Sequence, residues 1–402
     1  MKLIMSALVI VGLSTTGQAA QDLCPTKIQT ANEFYRCALS KDPSLTSLEF
    51  RNAEREGRDA EARQISNPIG EADLGFGSEG KQTLSLIQPL QLGGKRSARI
   101  QLANSENKSS IIEDQLNSSA TATAIALNLV RHRHIEAKRT LLVEMRSSLE
   151  NMTSRLKNKA VRTPEERTAS TIFSMQKTVL DTQVLSLTKE LREVKTQLES
   201  SIGRKLGSAE ILSSKEKKDW PAISPDQMKS SFGSQLAEAS IEKNRAEVKL
   251  EESNAWPEIA IGPQAERHSD GETSWGAKLE FTMPIFNLNG GAKQRARAQL
   301  SRAEALSALT KIREQAALEQ LIEQYKILAE FFKKTPSQMA VVGSISESLK
   351  LFSRGLVQPS AIIETYRSTL EALEAIQQKE LEIYEAYWTI HSQMGHFPRE
   401  FQ

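Results

Sequence analysis

The sequence is poor in aromatic residues and has no excess of charge of either sign. Only 5% of its 402 residues are aromatic, and Ala, Leu, Ser, Glu, Lys, Gln and Arg dominate, which is typical of long helices rather than of a large globular core. The 52 basic and 50 acidic residues leave a net charge of +2. This near balance gives no electrostatic reason to expect a nucleic-acid partner, and it indicates that charge runs are solvated helix faces.

Long hydrophobic runs are missing from the chain after its N-terminus. Residues 1–19 combine Lys2, the apolar run Leu3–Leu13 and a small-residue cleavage site at Ala19, which predicts a secretory signal peptide. No later stretch approaches the roughly 18 consecutive apolar residues that a membrane-spanning helix needs. An exported chain of this kind is either soluble outside the cytoplasm or crosses a membrane as β-strands.

Cysteine is scarce as well, and the two cysteines are close together. Cys24 and Cys37 follow the predicted signal directly, in an N-terminal segment, residues 20–66, that we expect to be helical. Because an exported chain meets oxidising conditions, the pair predicts a disulfide. Lipidation of Cys24 is the alternative, although the preceding "QDL" lacks the small residue expected beside a lipid-modified cysteine.

One short motif resembles a nucleotide-binding loop. In "GFGSEGKQT", Gly75–Thr83, Gln82 stands where Ser or Thr should follow Lys81. A phosphate-binding loop leads from a buried strand into a helix, whereas "QTLSLIQPLQL" after Lys81 alternates polar and apolar residues like a strand. The alternative hypothesis of an NTP-dependent enzyme is therefore supported by this near-match alone.

The same stretch takes part in an internal repeat. "SEGKQT" is similar to "SDGETS" in the second half of the chain, where Glu272 takes the place of the lysine. We therefore interpret Gly80 and Gly271 as the bends of two β-hairpins. Farther along, "QPLQLGGKRSARIQLANSE" matches "MPIFNLNGGAKQRARAQLSRAE" in a proline, a double glycine, a basic cluster and a polar helix. The repeats predicted in this way are residues 67–203 and 256–395, joined by a linker and helix, 204–255, and followed by a tail, 396–402.

Each repeat opens with two strands. Their period-two alternation predicts hairpins at 67–93 and 256–289, with strands of about ten residues that have one apolar and one polar face. Trp256 and Trp275 lie in or beside the second hairpin, where aromatic residues at a membrane interface are expected; simple packing is the alternative. The predicted apolar faces consist of Leu84, Leu86, Leu90 and Leu92 in the first hairpin and Ala277, Leu279, Phe281, Met283 and Ile285 in the second.

Two long helical arms follow each hairpin. The first pair occupies 95–203 and turns at Pro164, and the second occupies 292–395 and turns within "SRGLVQPSAII". Pro336 interrupts the second pair, where it should kink or break the helix. The fold class is therefore mixed and mainly α, with two tandem repeats that each contain a β-hairpin and a long helical hairpin.

In this order and spacing, the motifs resemble the TolC-type outer-membrane factors, the exit ducts of tripartite efflux pumps and type I secretion systems. "ANEFYRCALSKDPSL" is similar to the leading helix of that family, although Asp42 replaces the usual Asn, and "LFSRGLVQPSAIIETYRSTLEALE" is similar to its second periplasmic turn. "QPLQLGGKRSAR" resembles the heavy-metal, CzcC-like branch, which favours metal or cation efflux.

The resemblance implies a homotrimer in the outer membrane. Three chains of four strands would form a 12-stranded β-barrel, continued by a helical barrel across the periplasm. Such a duct conducts passively and is not an enzyme; it has no cofactor or metal of its own. Its partners would be outer-membrane lipid, a periplasmic adaptor and an inner-membrane pump. The alternative is a periplasmic coiled-coil adaptor or scaffold, which would have no reason to carry two amphipathic hairpins.

The turns between the arms are the candidate contacts with an adaptor. By the resemblance, acidic residues just past these turns line the closed aperture. Glu166 and Glu364 match that pattern, whereas Ala361 departs from it, so we predict weaker cation dependence than in relatives with two acidic rings. The candidate tip residues are Lys159, Ala160, Val161, Arg162 and Thr163 in the first turn and Arg354, Gly355, Leu356, Val357 and Gln358 in the second.

The sequence "RHRH" places His132 and His134 two residues apart. Residues at this spacing on a helix do not face each other, so the pair does not predict a metal site. We expect a solvated polar patch.

Overall fold

The computed structural model describes most of the chain after residue 23. The described residues are 24–25, 27–42, 46–75, 81–161, 163–207, 212, 214–223, 231–268, 270–282, 286, 288–354, 356–393 and 401. The predicted signal peptide, the turn residue Gly80, the tip residues Arg162 and Gly355, and the apolar-face residues Met283 and Ile285 lie outside them.

Helices make up most of the described residues. The longest helix has 63 residues without Gly or Pro and spans about 95 Å at 1.5 Å per residue. Within the described residues, no helix combines the length and the apolar character that a membrane-spanning helix needs. In chain order the helices are α1 (Ala31–Lys41), α2 (Leu48–Arg63), α3 (Lys95–Lys157), α4 (Pro164–Ile202), α5 (Phe232–Ser253), α6 (Gly290–Lys334), α7 (Gln338–Ser353) and α8 (Pro359–Gln393).

The strands form one antiparallel sheet. β1 (Ile69–Leu74), β2 (Gln82–Leu90), β3 (Glu258–Arg267) and β4 (Thr273–Thr282) are neighbours in this order, so β2 and β3 join the two predicted hairpins into a single sheet. β1 has six residues, fewer than the ten we expected. It begins directly after Pro68, which has no N–H to donate to a strand ladder.

Helices α3 and α4 form an antiparallel pair. Arg146 and Glu150 of α3 make ion pairs with Asp181 and Lys177 of α4, so the residue numbers rise along one helix as they fall along the other. The face of α4 against α3 has buried apolar residues every seven positions, the spacing typical of coiled-coil packing. These residues are Phe173, Leu180, Leu187 and Val194.

The second set of helices packs beside this pair. α8 contacts α3, α6 and α7, and α5 lies between α3 and α6. Charged side chains line the α5 contacts, with Lys108 of α3 2.6 Å from Glu242 and Lys311 of α6 2.7 Å from Glu238. The main apolar core therefore runs along α3, α4 and α8.

The N-terminal segment is fixed at two places. Cys24 and Cys37 form a disulfide, and Tyr35 of α1 packs against Trp388 of α8 with ring centroids 5.4 Å apart. In contrast, α2 buries no side chain and docks on α3 through polar contacts. Among these, Arg51 and Arg55 both bind the buried carboxylate of Asp114.

Pro336 breaks the second arm. α6 ends at Lys334 and α7 begins at Gln338 with Ser337 as its N-cap, whose hydroxyl accepts from the Ala340 N–H. Proline cannot donate a backbone hydrogen bond, so the helix cannot continue through this position.

Candidate functional site

The two faces of the sheet differ in polarity. Residues directly opposite each other in an antiparallel pair point to the same face. One face is mainly apolar and exposed, and the other carries most of the charged side chains. The apolar face contains Leu84, Leu86, Leu90, Ile259, Ile261, Ala265, Trp275, Ala277, Leu279 and Phe281, and the polar face contains Glu71, Asp73, Thr83, Ser85, Gln264, Glu266, Lys278 and Glu280.

The sheet is curved, with its polar face on the concave side. Strands β1 and β4 are at opposite edges and would be about 14 Å apart in a flat sheet. Yet Lys278 of β4 makes an ion pair with Glu71 of β1 across the polar face. Cα atoms of β2 and β4 also approach within 8 Å, compared with about 10 Å in a flat sheet. The apolar residues therefore lie on the convex side.

The near-match to a nucleotide-binding loop is part of the first hairpin. The residue after Lys81 begins strand β2 rather than a helix, and Lys81 makes an ion pair with Glu266 of β3. In the second hairpin, Gly271 has φ +88 and its N–H donates to the His268 carbonyl at 3.0 Å. That left-handed conformation requires glycine at this bend.

The first tip turn, between α3 and α4, has a tightly organised helix start. The Thr163 hydroxyl accepts from the Glu166 N–H at 3.2 Å, and the Glu166 carboxylate accepts from the Thr163 N–H at 3.1 Å, which is a capping box. Glu166 also pairs with Lys159. Val161 between them is 86% exposed.

The second tip turn, between α7 and α8, also exposes an apolar side chain. Leu356 is 69% exposed, and its N–H donates to the Leu351 carbonyl at 3.1 Å. The Ala361 N–H donates to the Gln358 carbonyl at 3.1 Å and starts α8. The turn is therefore held by backbone hydrogen bonds, and its apolar side chain stays free to contact a partner.

Both tip turns lie at the same end of the helices. Phe173, near the start of α4, packs edge-on against Phe352 at the end of α7 with ring centroids 6.0 Å apart. Helix α3 leads from the sheet at its first residue to the first tip at its last. The two tips are thus separated from the sheet by the length of the long helices.

The two candidate pore carboxylates are both engaged within the chain. Glu166 forms the capping box, and Glu364 accepts two hydrogen bonds of 2.7 Å from the Arg367 guanidinium on the exposed surface of α8. The Glu364 side chain is exposed, and the Arg367 guanidinium beside it partly neutralises its negative charge.

The expectation that His132 and His134 form a solvated patch is wrong. They are only 8% and 5% exposed. Residues two apart do point to different sides of α3, but both sides are covered, since Lys195 of α4 is near His132 and Glu380 of α8 is near His134. Among the described residues, no group of His, Cys, Asp and Glu is arranged to hold a metal ion.

A buried polar cluster surrounds Glu380 and is not among the predicted sites; we call it the Glu380 cluster (Arg133, His134, Gln338, Gln377 and Glu380). Glu380 is fully buried. Its carboxylate is 2.5 Å from Arg133 Nη2, 2.8 Å from His134 Nε2 and 2.8 Å from Gln338 Nε2. Gln377 Nε2 donates to Gln338 Oε1 at 3.3 Å. The cluster therefore connects α3, α8 and the first residue of α7.

The charge states within the Glu380 cluster follow from burial and pairing. Burial lowers the pKa of His134 and outweighs the opposing effect of Glu380. Burial alone would raise the pKa of Glu380, but the hydrogen bond from His134 and the charge of Arg133 together hold it below its usual range. Near neutral pH the cluster thus contains an ionised pair, Arg133 and Glu380, and a neutral His134.

The sequence did contain a signal for this cluster. Gln377 and Glu380 interrupt a buried stripe on α8, at the helical spacing of three and four residues that its apolar members follow. A polar residue inside such a stripe must be buried and needs a partner. The stripe contains Leu373, Ile376, Ile383, Tyr384 and Tyr387.

Solved structures of outer-membrane proteins are similar to this chain. VceC, an outer membrane protein of Vibrio cholerae, has 14% sequence identity and a TM-score of 0.70 over 92% of this chain and 97% of its own. The MtrE outer membrane channel of Neisseria gonorrhoeae, in its open state, has 14% identity and a TM-score of 0.70 over 92% of this chain and 90% of its own. The CmeC outer membrane channel of Campylobacter jejuni has 14% identity and a TM-score of 0.65 over 92% and 86%.

No protein-family model matches the sequence, and no curated protein sequence matches it either. The structural similarity covers 92% of this chain in each of the three comparisons. The expectation of a mainly helical chain with a small antiparallel sheet is confirmed, and this chain has the fold of those outer-membrane channel proteins.

Proposed function

We propose that this chain is an outer-membrane exit duct of a tripartite efflux or type I secretion system, which passively conducts substrate received from a pump and an adaptor. The observation that carries the proposal is the curved sheet, whose convex face is apolar and whose concave face is charged. A sheet of this kind can meet lipid on one side and water on the other. The similarity to outer-membrane channels supports the same location.

In the proposed duct three chains associate through their sheets. With β1 and β4 at the edges of each sheet, edge-to-edge pairing of three chains would close 12 strands into a barrel with no open edge. Trp275 near the β3–β4 turn and Phe281 near the helices lie six residues apart along the apolar face, a separation of about 20 Å at 3.3 Å per residue. Aromatic residues at both rims of an apolar band are typical of outer-membrane barrels.

The long helices support a trimer as well. Their surfaces carry apolar side chains that a single chain leaves in water, and neighbouring chains in a helical barrel would cover them. The order of hairpin followed by helical pair, which occurs twice along the chain, supports an internal duplication in which the repeats occupy equivalent places around the barrel. The exposed apolar residues include Ile172, Met175, Val179 and Leu185 on α4 and Leu306, Leu309, Ile312 and Ile327 on α6.

The tip turns are proposed to dock against a periplasmic adaptor. Val161 and Leu356 are exposed at the end of the helices farthest from the sheet. A helical partner could bury these side chains between its own apolar residues. The proposed contact residues are the two tip turns, 159–163 and 354–358.

Glu364 is proposed to line the aperture, where three copies would form a ring of carboxylates. Because Arg367 binds each Glu364 within its own chain, the ring would carry less net negative charge than its acids alone suggest. We therefore expect weak cation selectivity. Glu166 is proposed to have two roles: it lines the aperture, and it stabilises the start of α4 through the capping box.

Membrane fractionation and conductance test the proposed function. The full chain should be recovered in the outer membrane as a trimer that can be cross-linked, and the purified trimer should form channels in planar bilayers. Recovery only in the soluble periplasm, with no channel activity, would contradict the duct and favour the coiled-coil adaptor or scaffold.

The substrate class needs its own experiment. The resemblance of "QPLQLGGKRSAR" to the heavy-metal branch favours metal cations as cargo. Deletion of the gene followed by a toxicity panel of metals, drugs and detergents should then show sensitivity to metals first. Sensitivity to drugs and detergents alone would contradict a metal substrate while leaving the duct itself intact.

A further inference from the structure

The break at Pro336 is stabilised by a segment from elsewhere in the chain, residues 214–223. The Lys218 ammonium lies 3.3 Å from the Thr335 carbonyl at the end of α6, and the Glu216 carboxylate accepts from the Gln338 N–H at 3.1 Å at the start of α7. A helix carries partial negative charge at its C-terminus and partial positive charge at its N-terminus. The segment therefore places a cation at the broken end of α6 and an anion at the new start of α7.

Aromatic packing holds the 214–223 segment in this position. Trp220 packs edge-on against Tyr384 of α8 at 4.8 Å and against Tyr325 of α6 at 6.2 Å. The Tyr325 hydroxyl donates to the Pro221 carbonyl at 2.7 Å. In addition, the Arg133 guanidinium donates to the Ser214 hydroxyl at 3.0 Å and to the Lys215 carbonyl at 2.8 Å. The segment is thus anchored to α3, α6 and α8.

The Glu380 cluster fixes the first residue of α7 from the other side. Gln338 donates its side-chain amide to the buried carboxylate of Glu380, while its backbone N–H binds Glu216. One residue therefore connects the start of α7 both to α8 and to the 214–223 segment. A buried carboxylate that is paired in this way tolerates little displacement of its partners.

The rest of α7 is less deeply buried than α8. Among its described side chains Ile345 alone is buried and Val341, Val342, Leu349 and Phe352 are half-buried against the core, whereas α8 buries residues along most of its length. Thr335 and Ser337 have extended backbones, with ψ of 138 and 152, so α7 is joined to α6 by a short non-helical link. The contacts at its first residue therefore act together with this shallow packing to set the orientation of α7.

We propose that the 214–223 segment and the Glu380 cluster form a clamp that sets the direction of α7 and thereby the position of the second tip turn. With the clamp intact, α7 points along α8 and brings Phe352 to Phe173. With the clamp released, α7 pivots about residues 335–337. Because α7 has 16 residues and is about 24 Å long, a pivot of about 10° moves its far end by about 4 Å. The clamp stands on contacts within one chain, so it does not depend on the proposed duct.

Distance measurements between the two tips test the clamp. We would place nitroxide spin labels on Val161→Cys and Leu356→Cys in the full-length chain, where Cys24 and Cys37 are already joined. If the chain forms oligomers, labelled chains would be diluted with unlabelled chains. The parent should give one narrow distance distribution by pulsed electron paramagnetic resonance.

Three variants release the clamp in different ways. Glu380→Gln removes the buried charge, Gln338→Ala removes the amide, and the exchange Glu216→Lys with Lys218→Glu puts the wrong charge at each helix end without changing the net charge. Each should broaden the distribution or shift its mean by several ångströms. Glu382→Gln on the exposed side of α8, where Glu382 pairs with Lys379 at 2.7 Å, is the matched control and should leave the distribution unchanged.

The outcomes separate the clamp from a general loss of structure. If Glu380→Gln fails to fold, Gln338→Ala and the charge exchange decide the question, because they leave the Arg133–Glu380 pair in place. A distribution identical to that of the parent in every folded clamp variant would overturn the proposal. A change of the same size in Glu382→Gln would overturn it as well.

Discussion

Glu380 and His134 make the stability of the chain sensitive to acid. Because the pKa of His134 is lowered from its ordinary value of 6.5, the unfolded chain binds more protons than the folded chain as the pH falls below 6.5. The lowered pKa of Glu380 acts in the same direction below its ordinary value of 4.5. The charged and titratable groups around them are Arg133, Glu216 and Tyr384, and none of these reverses the sign.

We therefore predict that the melting temperature falls as the pH is lowered from about 7.5 to about 5.5, over the window set by His134 and by His132, whose pKa is also lowered by burial. His134→Gln, which cannot be protonated, should make this fall shallower. Gln315→Asn, on the exposed surface of α6, adds and removes no titratable group and is the control that should keep the slope of the parent. Equal slopes in all three proteins, measured by thermal unfolding at each pH, would contradict the assignment to His134.

Gly262 of β3 lies in close contact with the backbone of β2. A Cβ atom at this position would lie 1.8 Å from the Leu86 carbonyl oxygen, which belongs to the backbone and cannot rotate away. Gly262→Ala should therefore destabilise the sheet by about 1–3 kcal/mol. Gly276→Ala is the matched control on β4, since a Cβ there meets nothing within 4 Å. Urea unfolding followed by the intrinsic fluorescence of the four tryptophans measures both, and an equal loss in the two variants would contradict this account.

At the residue scale the sequence predicted local features better than long-range contacts. Cys24 and Cys37 share one short segment, and Gly271 lies at a bend, so nearby residues were sufficient to infer both. Glu380 and His134 are 246 positions apart, and only the packing of α8 on α3 brings them together. Treating α3 as an isolated helix gave the wrong environment for both histidines.

At the scale of elements, helix α4 depends on its first turn. Thr163→Ala removes the hydroxyl that accepts from the Glu166 N–H, and it also frees the Glu166 side chain from the capping box. The loss should be about 1 kcal/mol. Thr168→Ala, one turn later, removes only a hydroxyl that donates to the Pro164 carbonyl and is the matched control.

Amide hydrogen exchange is the appropriate measurement, because the effect is local. Amides in the first turn of α4 should exchange about fivefold faster in Thr163→Ala, the factor that corresponds to about 1 kcal/mol. Those in the middle of α4 should not change. Faster exchange along the whole of α4 in both threonine variants would contradict a capping role.

The helix break at Pro336 can be predicted from the sequence, whereas the contacts that stabilise the broken helix ends cannot. Pro336 predicts an interruption from its own chemistry, since it lacks an N–H. The residues that satisfy the broken ends, Glu216 and Lys218, belong to a segment far away in sequence that has no helical or strand period. No local pattern connects that segment to the break.

At the scale of the whole molecule, the sheet end and the tip end of the long helices have different surfaces. One end is a curved sheet with an apolar convex face, and the other is a pair of helical turns with exposed Val161 and Leu356. Alternation and helical periodicity predicted both surfaces, because each depends on which residues share a face. The curvature of the sheet depends on contacts between its edges, such as Glu71 with Lys278, and sequence periodicity does not encode it.

The convex face gives the last prediction, which rests on the proposed membrane location. Leu279 lies on this face opposite Ile261, whereas the adjacent Glu280 lies on the concave face. Leu279→Arg should cost about 2–4 kcal/mol in a bilayer, because the guanidinium would have to enter lipid. Glu280→Arg makes the larger change in charge, yet it should be tolerated because its side chain would face water. Recovery of trimer in the outer membrane, relative to total chain, should therefore fall sharply for Leu279→Arg and stay near the parent level for Glu280→Arg. The opposite ranking would mean that the charged face meets the membrane.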